Sequence, residues 1–550
     1  MVSNHEIRRL FDLYAELLLL HDKDQRLAGL LSGAAYRLRN RSEEVMDAPA
    51  AELAKEFRPP IVRVLKELKK SSTIAALDEL IGLTPQGIFE MMRIRGLGGK
   101  KLSLLWKQAG IDSIDALLGA CRKHIISEMR GFGPKTEANI VKAIEEYRVN
   151  EDRFHYATVA DIADTLVEQL RMVLKTSLVE LCGEVRRQCL TVAGIEILMA
   201  VPVRSLHKST LRKLMVIEST STNETKGHTL DEIPVTIYHT TPSKFHAQLF
   251  IKTGNESHVK KVLAKVKGAG SFPNEDAIYK KAKLPFIVPE MREDVAEWNF
   301  KQPITSLITM EDIKGVVHNH TDWSDGIDPL ADFAVACKKR GYEYTVISDH
   351  SKNAHYAGGL KEKQVMQQMK QIAELNKQWK PFKIFKSIEC DILVSGELDF
   401  PNELLTRFDL VIVSVHQLLK MDEAKATKRL IKAIENKYTT IVGHISGRQL
   451  LIRPGYPLNY KKVIDACAAN QVIIEVNANP YRLDIDWTHI PYALQKGVMI
   501  SINPDAHSIA EIDNIRWGVS AARKGGLTKE MTWNAMSLKK VEEWLVRRKG

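Results

Sequence analysis

The sequence predicts a multidomain protein: an all-α N-terminal region, an α+β middle, and a C-terminal β/α barrel. Three observations carry that reading. The chain has 550 residues, more than one hydrophobic core normally serves. From Gly315 onward, seven near-continuous apolar runs are separated mostly by Lys-rich amphipathic segments such as EKQVMQQMKQIAELNKQ and DEAKATKRLIKAIENK, the pattern of parallel strands buried on both faces. Most of those runs end in a side chain able to bind a metal, as they would around the active-site face of a barrel enzyme.

Composition narrows the class. The six cysteines are scattered without a Cys-x-x-Cys pair, so neither a disulfide framework nor a zinc finger is indicated. No signal peptide and no long apolar span stand in the sequence; LLLL at 17–20 is far too short to cross a bilayer. The chain is expected to be cytoplasmic, with no membrane partner. A net charge of +11 favours a polyanionic partner.

Residues 3–48 read as helices, with Leu10, Phe11, Tyr14, Leu17 and Leu18 recurring at helical spacing. Arg37, Arg39 and Arg41 mark a candidate basic edge, and 50–72 a further helical pair around Pro59-Pro60. Two related elements follow, about 35 residues apart: Gly96-Leu97-Gly98-Gly99-Lys100 and Gly131-Phe132-Gly133-Pro134-Lys135, each between helical segments. Paired glycines allow a tight turn and close backbone approach. The next helix then turns its free N–H groups outward, with Lys100 or Lys135 adding charge, a seat for phosphate. The elements resemble helix-hairpin-helix motifs, which imply DNA-backbone contact through Gly96, Gly98, Lys100, Gly131, Gly133 and Lys135.

At the C-terminal end, GVVHNHTDWSDG places His318 and His320 one residue apart, where strand alternation points both imidazoles to one face. Asp325 follows in a loop. The later runs end in Asp349-His350, Glu389 with Asp391, His416, His444, Glu475 with Asn477 and Asn479, and Asp505 with His507. One His-x-His is a weak signal; the repetition makes it a strong one. Imidazole mixed with carboxylate and no cysteine suits Zn²⁺, Mn²⁺ or Fe²⁺ better than a structural zinc.

Together HNH, SDG, SDHS, IECD, SVH, VGH, NANPYRLD and DAHS resemble the PHP (polymerase and histidinol phosphatase) domain. The resemblance implies a distorted (β/α)7 barrel holding three divalent metals. Carried over by motif, His318, His320, Glu389 and Asp505 would hold the first, and Glu389, His416 and His444 the second. Asp325, His350 and His507 would hold the third. Lys352, Arg448 and Arg482 closely follow ligand motifs and are candidates for a phosphate clamp.

The middle, residues 155–300, resembles the palm and thumb of a family X DNA polymerase, which in bacteria commonly precedes a PHP domain. The implied domains are 1–90 (helical, DNA-binding), 91–150 (helix-hairpin-helix), 151–300 (palm and thumb), 301–314 (linker) and 315–550 (PHP). The departures matter most. The family holds two Mg²⁺ with three carboxylates, which two-metal chemistry requires. Here the first aspartate position is Gly194, the second is Glu196, and the third falls on Pro234. The family's triphosphate cradle reads Gly183-Glu184-Val185-Arg186-Arg187-Gln188, with a carboxylate where a triphosphate would sit. Arg186 and Arg187 are open to two readings, DNA contact or surface ion pairing.

The sequence is thus expected to encode a metal-dependent DNA phosphodiesterase or 3′-5′ exonuclease of DNA repair, trimming abasic sites or blocked 3′ ends, with a silent polymerase core. Gapped, recessed or single-stranded DNA ends would be its partner. A small-molecule phosphatase, a non-catalytic scaffold and a residual polymerase are the alternatives. Metal identity and protein partners are not readable from the sequence.

Overall fold

The computed structural model describes residues 4–39, 44–71, 73–201, 214–267 and 271–549. The chain divides into two compact units, residues 1–152 and 153–550.

The first unit is all-α. Helix α1 (Asn4–Leu20) runs against α2 (Gln25–Arg39). The apolar stripe read from the sequence is its inner face: Phe11, Tyr14, Leu17 and Leu18 are buried, and Leu10 packs at their edge. Of the expected basic edge, Arg37 donates to the Glu56 carbonyl; the Arg39 side chain and Arg41 lie outside the described residues. The first glycine turn joins α3 (Gln86–Met92) to α4 (Gly99–Ala109). After α5 (Ile114–Arg122) and a short helical turn, the second leads into α6 (Pro134–Asn150). Gly96 and Gly131 adopt φ of +88° and +90°, a conformation that favours glycine. Gly98 and Gly133 are the extended residues before each helix, and Pro134 opens α6, where its missing N–H has no helical partner to lose.

The second unit opens with α7 (Tyr156–Leu174), packed beside a five-stranded sheet. Its strands are β1 (Val179–Cys182), β2 (Ile195–Met199), β3 (Val216–Thr220), β4 (Glu224–His228) and β5 (Pro234–His239), in the order β1-β2-β5-β4-β3. β2 and β5 are parallel, with Glu196 opposite Thr236.

From Gly315 all strands are parallel. β6 (Gly315–Asn319), β7 (Tyr344–Ile347) and β8 (Lys383–Lys386) form one sheet in the order β8-β7-β6. A second sheet takes β9 (Glu389–Asp391), β10 (Val411–Ser414), β11 (Thr439–Val442), β12 (Ile473–Asn477) and β13 (Ile500–Asn503) in sequence order. Almost every strand residue is buried, as the near-continuous apolar runs require.

The run 383–393, read as one strand, is two. Ser387 donates to Ile347 at the end of β7 and Ile388 accepts from Ile412 of β10, while Glu389 still bridges in parallel to His350 just beyond β7. A single extended segment therefore passes from one sheet to the other. At the opposite edge, Asn319 at the end of β6 bridges in parallel to Ala506 after β13, joining the sheets a second time. Helix α8 (Ile515–Lys524) follows β13. No helix among the described residues is long and apolar enough to cross a membrane.

Candidate metal centre and nucleic-acid contacts

The nine predicted ligand residues converge at the C-terminal ends of the parallel strands. They fall into four overlapping groups: His320, Asp325, His350 and His507; His318, Glu389 and His444; His318, His320 and Asp505; and His350, Glu389 and His416. Within each group the donor atoms lie within 4.8 Å of one another. Glu389 is the hub. Its Oε1 is 3.2 Å from both His318 Nε2 and His416 Nε2 and 2.9 Å from His444 Nε2, while Oε2 is 2.9 Å from His350 Nδ1.

The two histidines of HNH meet for a reason other than strand alternation. The pairing of β6 with β7 shifts register between Val316 and Asn319, and His318 sits there at φ +63°. A bulge of this kind re-aims a side chain. His320 lies just past the strand end, and the two rings come to 5.4 Å. Asp505 is likewise left-handed, at φ +52°. Two ligand positions thus hold backbone strain of the sort that persists where surrounding structure over-determines it.

Further carboxylates hold the imidazoles from behind. Glu475 Oε2 accepts from His318 Nδ1 at 2.5 Å and Asp391 Oδ1 from His416 Nδ1 at 2.5 Å, each leaving Nε2 directed at Glu389. Read from sequence as metal-capable, Asp391 and Glu475 stand outside the four groups and orient residues within them. Asn477 donates to both Glu475 and Asp505. Asp349 accepts from the Thr321 backbone and hydroxyl, Ser324 and Gln368, which fixes the loop carrying Asp325. Asn479 accepts from the Tyr481 backbone and shapes its own turn.

Electrostatics fit a cation. Burial opposes charge throughout, yet Glu389 and Asp505 are held well below the usual carboxylate range by the histidines around them. Burial likewise opposes protonation of His318, but Glu475, Glu389 and Asp505 lift it well above the usual value. His416 is raised to about 10 by Glu389 and Asp391 against its burial, and His507 to about 9 by Asp325 and Asp505. Burial and the neighbouring His507 and His350 press His320 down to about 3. Without a metal, protons on the imidazoles balance the carboxylates; a bound divalent ion would replace them. His318 Nε2, both nitrogens of His320, His350 Nδ1, His444 Nδ1 and Glu389 Oε2 are buried without a hydrogen-bond partner. Each such atom costs about 1–3 kcal/mol. Ion coordination would satisfy one nitrogen of each ring and the Glu389 oxygen, so the donor set fits divalent metals.

The three clamp candidates separate. Arg482 reaches the centre, with Nε 3.7 Å from Asp505 Oδ2. Arg448 is committed to the loop that carries Arg482: it donates to the Arg482 and Leu483 carbonyls and pairs with Asp486. Lys352 pairs with Glu362 at 2.7 Å. Tyr356 was not anticipated. It lies 6.4 Å, ring to ring, from both His350 and His416. The signal was an aromatic between the SDHS motif and Gly358-Gly359.

In the middle sheet, Gly194 and Pro234 stand side by side. A Cβ on Gly194 would come 2.5 Å from the Pro234 carbonyl oxygen. Glu196 accepts from the Tyr238 hydroxyl at 2.9 Å, and its other oxygen fills the space above Gly183, where a Cβ would meet it at 1.6 Å. Glu184 accepts from Arg153 and from the Ala193 backbone. Both cradle arginines are taken up in ion pairs with little exposure: Arg186 with Glu275 at 2.6 Å, Arg187 with Glu293 at 3.1 Å.

The two glycine hairpins differ. At the first, the Gly99 N–H donates to Glu16 Oε2 of α1 at 2.6 Å, so a carboxylate of the chain itself already sits at that helix start. At the second, nothing lies within 4 Å of a Cβ placed on Gly133, and Lys135 is exposed. Lys100 is exposed as well.

Comparison with known proteins bears on both halves. Residues 89–146 match the SAM-like helix-hairpin-helix tandem. The chain is 33% identical over 503 residues to the DNA polymerase/3′-5′ exonuclease PolX of Bacillus subtilis (strain 168), covering 87% of each chain. A probable phosphatase of Thermoanaerobacter sp. (strain X514) is 26% identical over 249 residues, 42% of this chain and 94% of its own. Another, from Caldanaerobacter subterraneus subsp. tengcongensis, is 24% identical over 245 residues, 42% and 89% respectively. The phosphatases match the C-terminal region.

Proposed function

The chain belongs to the family of the PolX DNA polymerase/3′-5′ exonucleases, and from that premise we propose that it is a metal-dependent DNA phosphodiesterase whose polymerase core is silent. The observation that carries the reading is the clustering of nine ligand-type side chains at the strand ends, with Glu389 within 3.6 Å of His318, His320, His350, His416 and His444. The two joined sheets are read as one distorted (β/α)7 barrel spanning 315–550. Segments 1–90 and 91–150 serve as DNA-binding domains, 151–300 as a palm-and-thumb platform, and 301–314 as a linker.

His318, His320, Asp325, His350, Glu389, His416, His444, Asp505 and His507 would hold up to three divalent ions, Mn²⁺, Zn²⁺ or Fe²⁺. Such ions, when bound, supply an activated water and neutralise charge on the phosphoryl oxygens. The chain's own part is positional. Glu475 and Asp391 fix which imidazole nitrogen faces inward. Asp349 sets the Asp325 loop, and Arg482 stands where its guanidinium can receive a phosphate. The second hairpin, through Gly131, Gly133 and Lys135, is the better placed of the two to seat a backbone phosphate. Gapped, recessed or single-stranded ends are its DNA, processing in repair its task, and the cytoplasm its place.

The test uses 5′-labelled single-stranded and 3′-recessed DNA with Mn²⁺, with and without dNTPs. A descending ladder that persists with dNTPs and vanishes in Asp505→Ala is expected. Extension of the primer would overturn the silent polymerase. A second reading, a small-molecule phosphatase, is favoured by the probable phosphatases that match the C-terminal region. Release of phosphate from small esters with intact DNA would select it.

A further inference from the structure

Beyond the metal centre, the loops that follow its strands share an unusual feature. Ile327, Tyr356, Val394, Leu418, Ile452 and Tyr481 are all exposed. Each lies in the loop after a different strand, β6, β7, β9, β10, β11 and β12 in turn. Among the described residues from 315 on, the other exposed large apolar side chains are Met366 and Val546, both on helices. Six large apolar side chains are thus exposed on the loops at the metal-bearing end of the strands, Tyr481 among them packing edge-on against His155 at 4.8 Å.

Tyr356 is the best defined. It is 55% exposed, yet its loop is tightly built. Ala354 and Ala357 on either side are buried. Gly358 takes φ +67°, and a Cβ on Gly359 would come 2.0 Å from the Ser351 carbonyl oxygen. The Leu360 N–H donates to the His350 carbonyl, closing the loop at its base. Asn353 donates to Asp391 and accepts at its carbonyl from Gln417, which ties the loop to the one carrying Leu418. An aromatic ring is thus held rigidly at the mouth, beside the rings of His350 and His416.

Resting on the phosphodiesterase reading, we infer that Tyr356 is a specificity residue that stacks on an unpaired nucleobase next to the scissile phosphodiester. Leu418 and the other loop residues form the apolar rim for adjacent bases. A rigid aromatic gives contact area at little entropic cost, and every base presents a face to stack on it. A small phosphate ester would make no use of a rim on six loops. The ring, rather than the hydroxyl, is the active part.

The experiment measures KM and kcat of the full chain with Mn²⁺ on a 5′-labelled single-stranded oligonucleotide. The same oligonucleotide with abasic tetrahydrofuran units at its last three positions is run beside it. Tyr356→Ala is expected to raise KM on the normal strand by about 10-fold with kcat little changed. Tyr356→Phe should recover most of that loss. On the abasic strand the wild type should already show the high KM, and Tyr356→Ala should add nothing. An unchanged KM in Tyr356→Ala, an equal penalty on the abasic strand, or a Phe variant as weak as Ala would each overturn the inference. A wild type that cuts neither strand would instead sink the phosphodiesterase reading.

Discussion

At the ends of the C-terminal strands, Glu389 and Asp505 stand among imidazoles, each backed by a further hydrogen-bonded group. At the start of β2 and β5, the positions where the family resemblance expects carboxylates hold a glycine against a proline and a glutamate bonded to tyrosine. The first region keeps buried nitrogen and oxygen atoms without hydrogen bonds, a cost that a bound ion would relieve. In the second, Glu184, Glu196, Arg186 and Arg187 are paired and the gap beside Gly194 is closed by packing. A buried ligand cluster is expensive to keep without use, so the contrast supports the proposed division between a metal-holding region and a silent core.

The sharpest way to break the comparison is at the link between the regions. Lys524 of α8 is nearly fully buried and donates to Glu293 at 2.8 Å and to the carbonyls of Arg187 and Glu290. Arg187 shares Glu293 with it. Glu293→Ala leaves two buried cations unpaired and should lower unfolding free energy in urea by about 3–5 kcal/mol. A loss under about 1 kcal/mol would show that the middle sheet is not anchored through this pair. The pair also has a pH signature. Burial raises the Glu293 carboxyl, but Lys524 and Arg187 outweigh it and hold it below its ordinary 4.5. Its contribution is therefore present above that value and lost as pH falls through the lower folded value. Wild type should lose more stability into acid than Glu293→Ala.

Next in size are the orienting carboxylates. Glu475→Gln and Asp391→Asn keep every ligand but weaken the hold on His318 and His416, so metal affinity or activity should fall roughly 10- to 100-fold. Titration with Mn²⁺ distinguishes them from ligand loss, because excess metal should restore part of the activity. Failure to respond to metal would place these residues in the chemistry itself. Smaller is the effect of returning a carboxylate to the middle sheet. Gly194→Asp must displace Pro234, and should destabilise by about 1–3 kcal/mol without restoring primer extension. Extension by that single variant would mean the region is closer to a working site than its packing implies. Smallest is the difference between the hairpins. Lys135→Ala should reduce the salt dependence of DNA binding by about one phosphate contact, and Lys100→Ala by less, since Glu16 already caps that helix. Equal slopes would remove the distinction.

Much of this was legible in the chain. The glycine hairpins are local, and Gly96 and Gly131 each require a conformation that their own residue type permits. The nine candidate ligands could be named through the motif resemblance, and all but Asp325, which lies in a loop, stand at or close after the end of an apolar run. The division of that region into strands was nearly right as well, failing only where one segment changes sheets at Ser387. Contacts between distant segments were not legible. Glu16 meets Gly99 across 83 residues and His318 meets Glu475 across 157. The three clamp candidates looked equivalent in sequence because all follow ligand motifs; their partners Asp505, Asp486 and Glu362 separate them.

Residue type and local period fix which side chains are available for chemistry, and the family resemblance adds that the carboxylate positions it implies in the middle sheet hold Gly194, Glu196 and Pro234. Tertiary structure alone decided which candidate donors cluster and which carboxylates hydrogen-bond to an imidazole from behind. It also decided that Gly194 is held closed by Pro234 and that Tyr356 stands at the mouth. Those outcomes depend on distances of a few ångströms between strands and loops far apart in the chain, and hydrogen bonding and close packing discriminate at that scale.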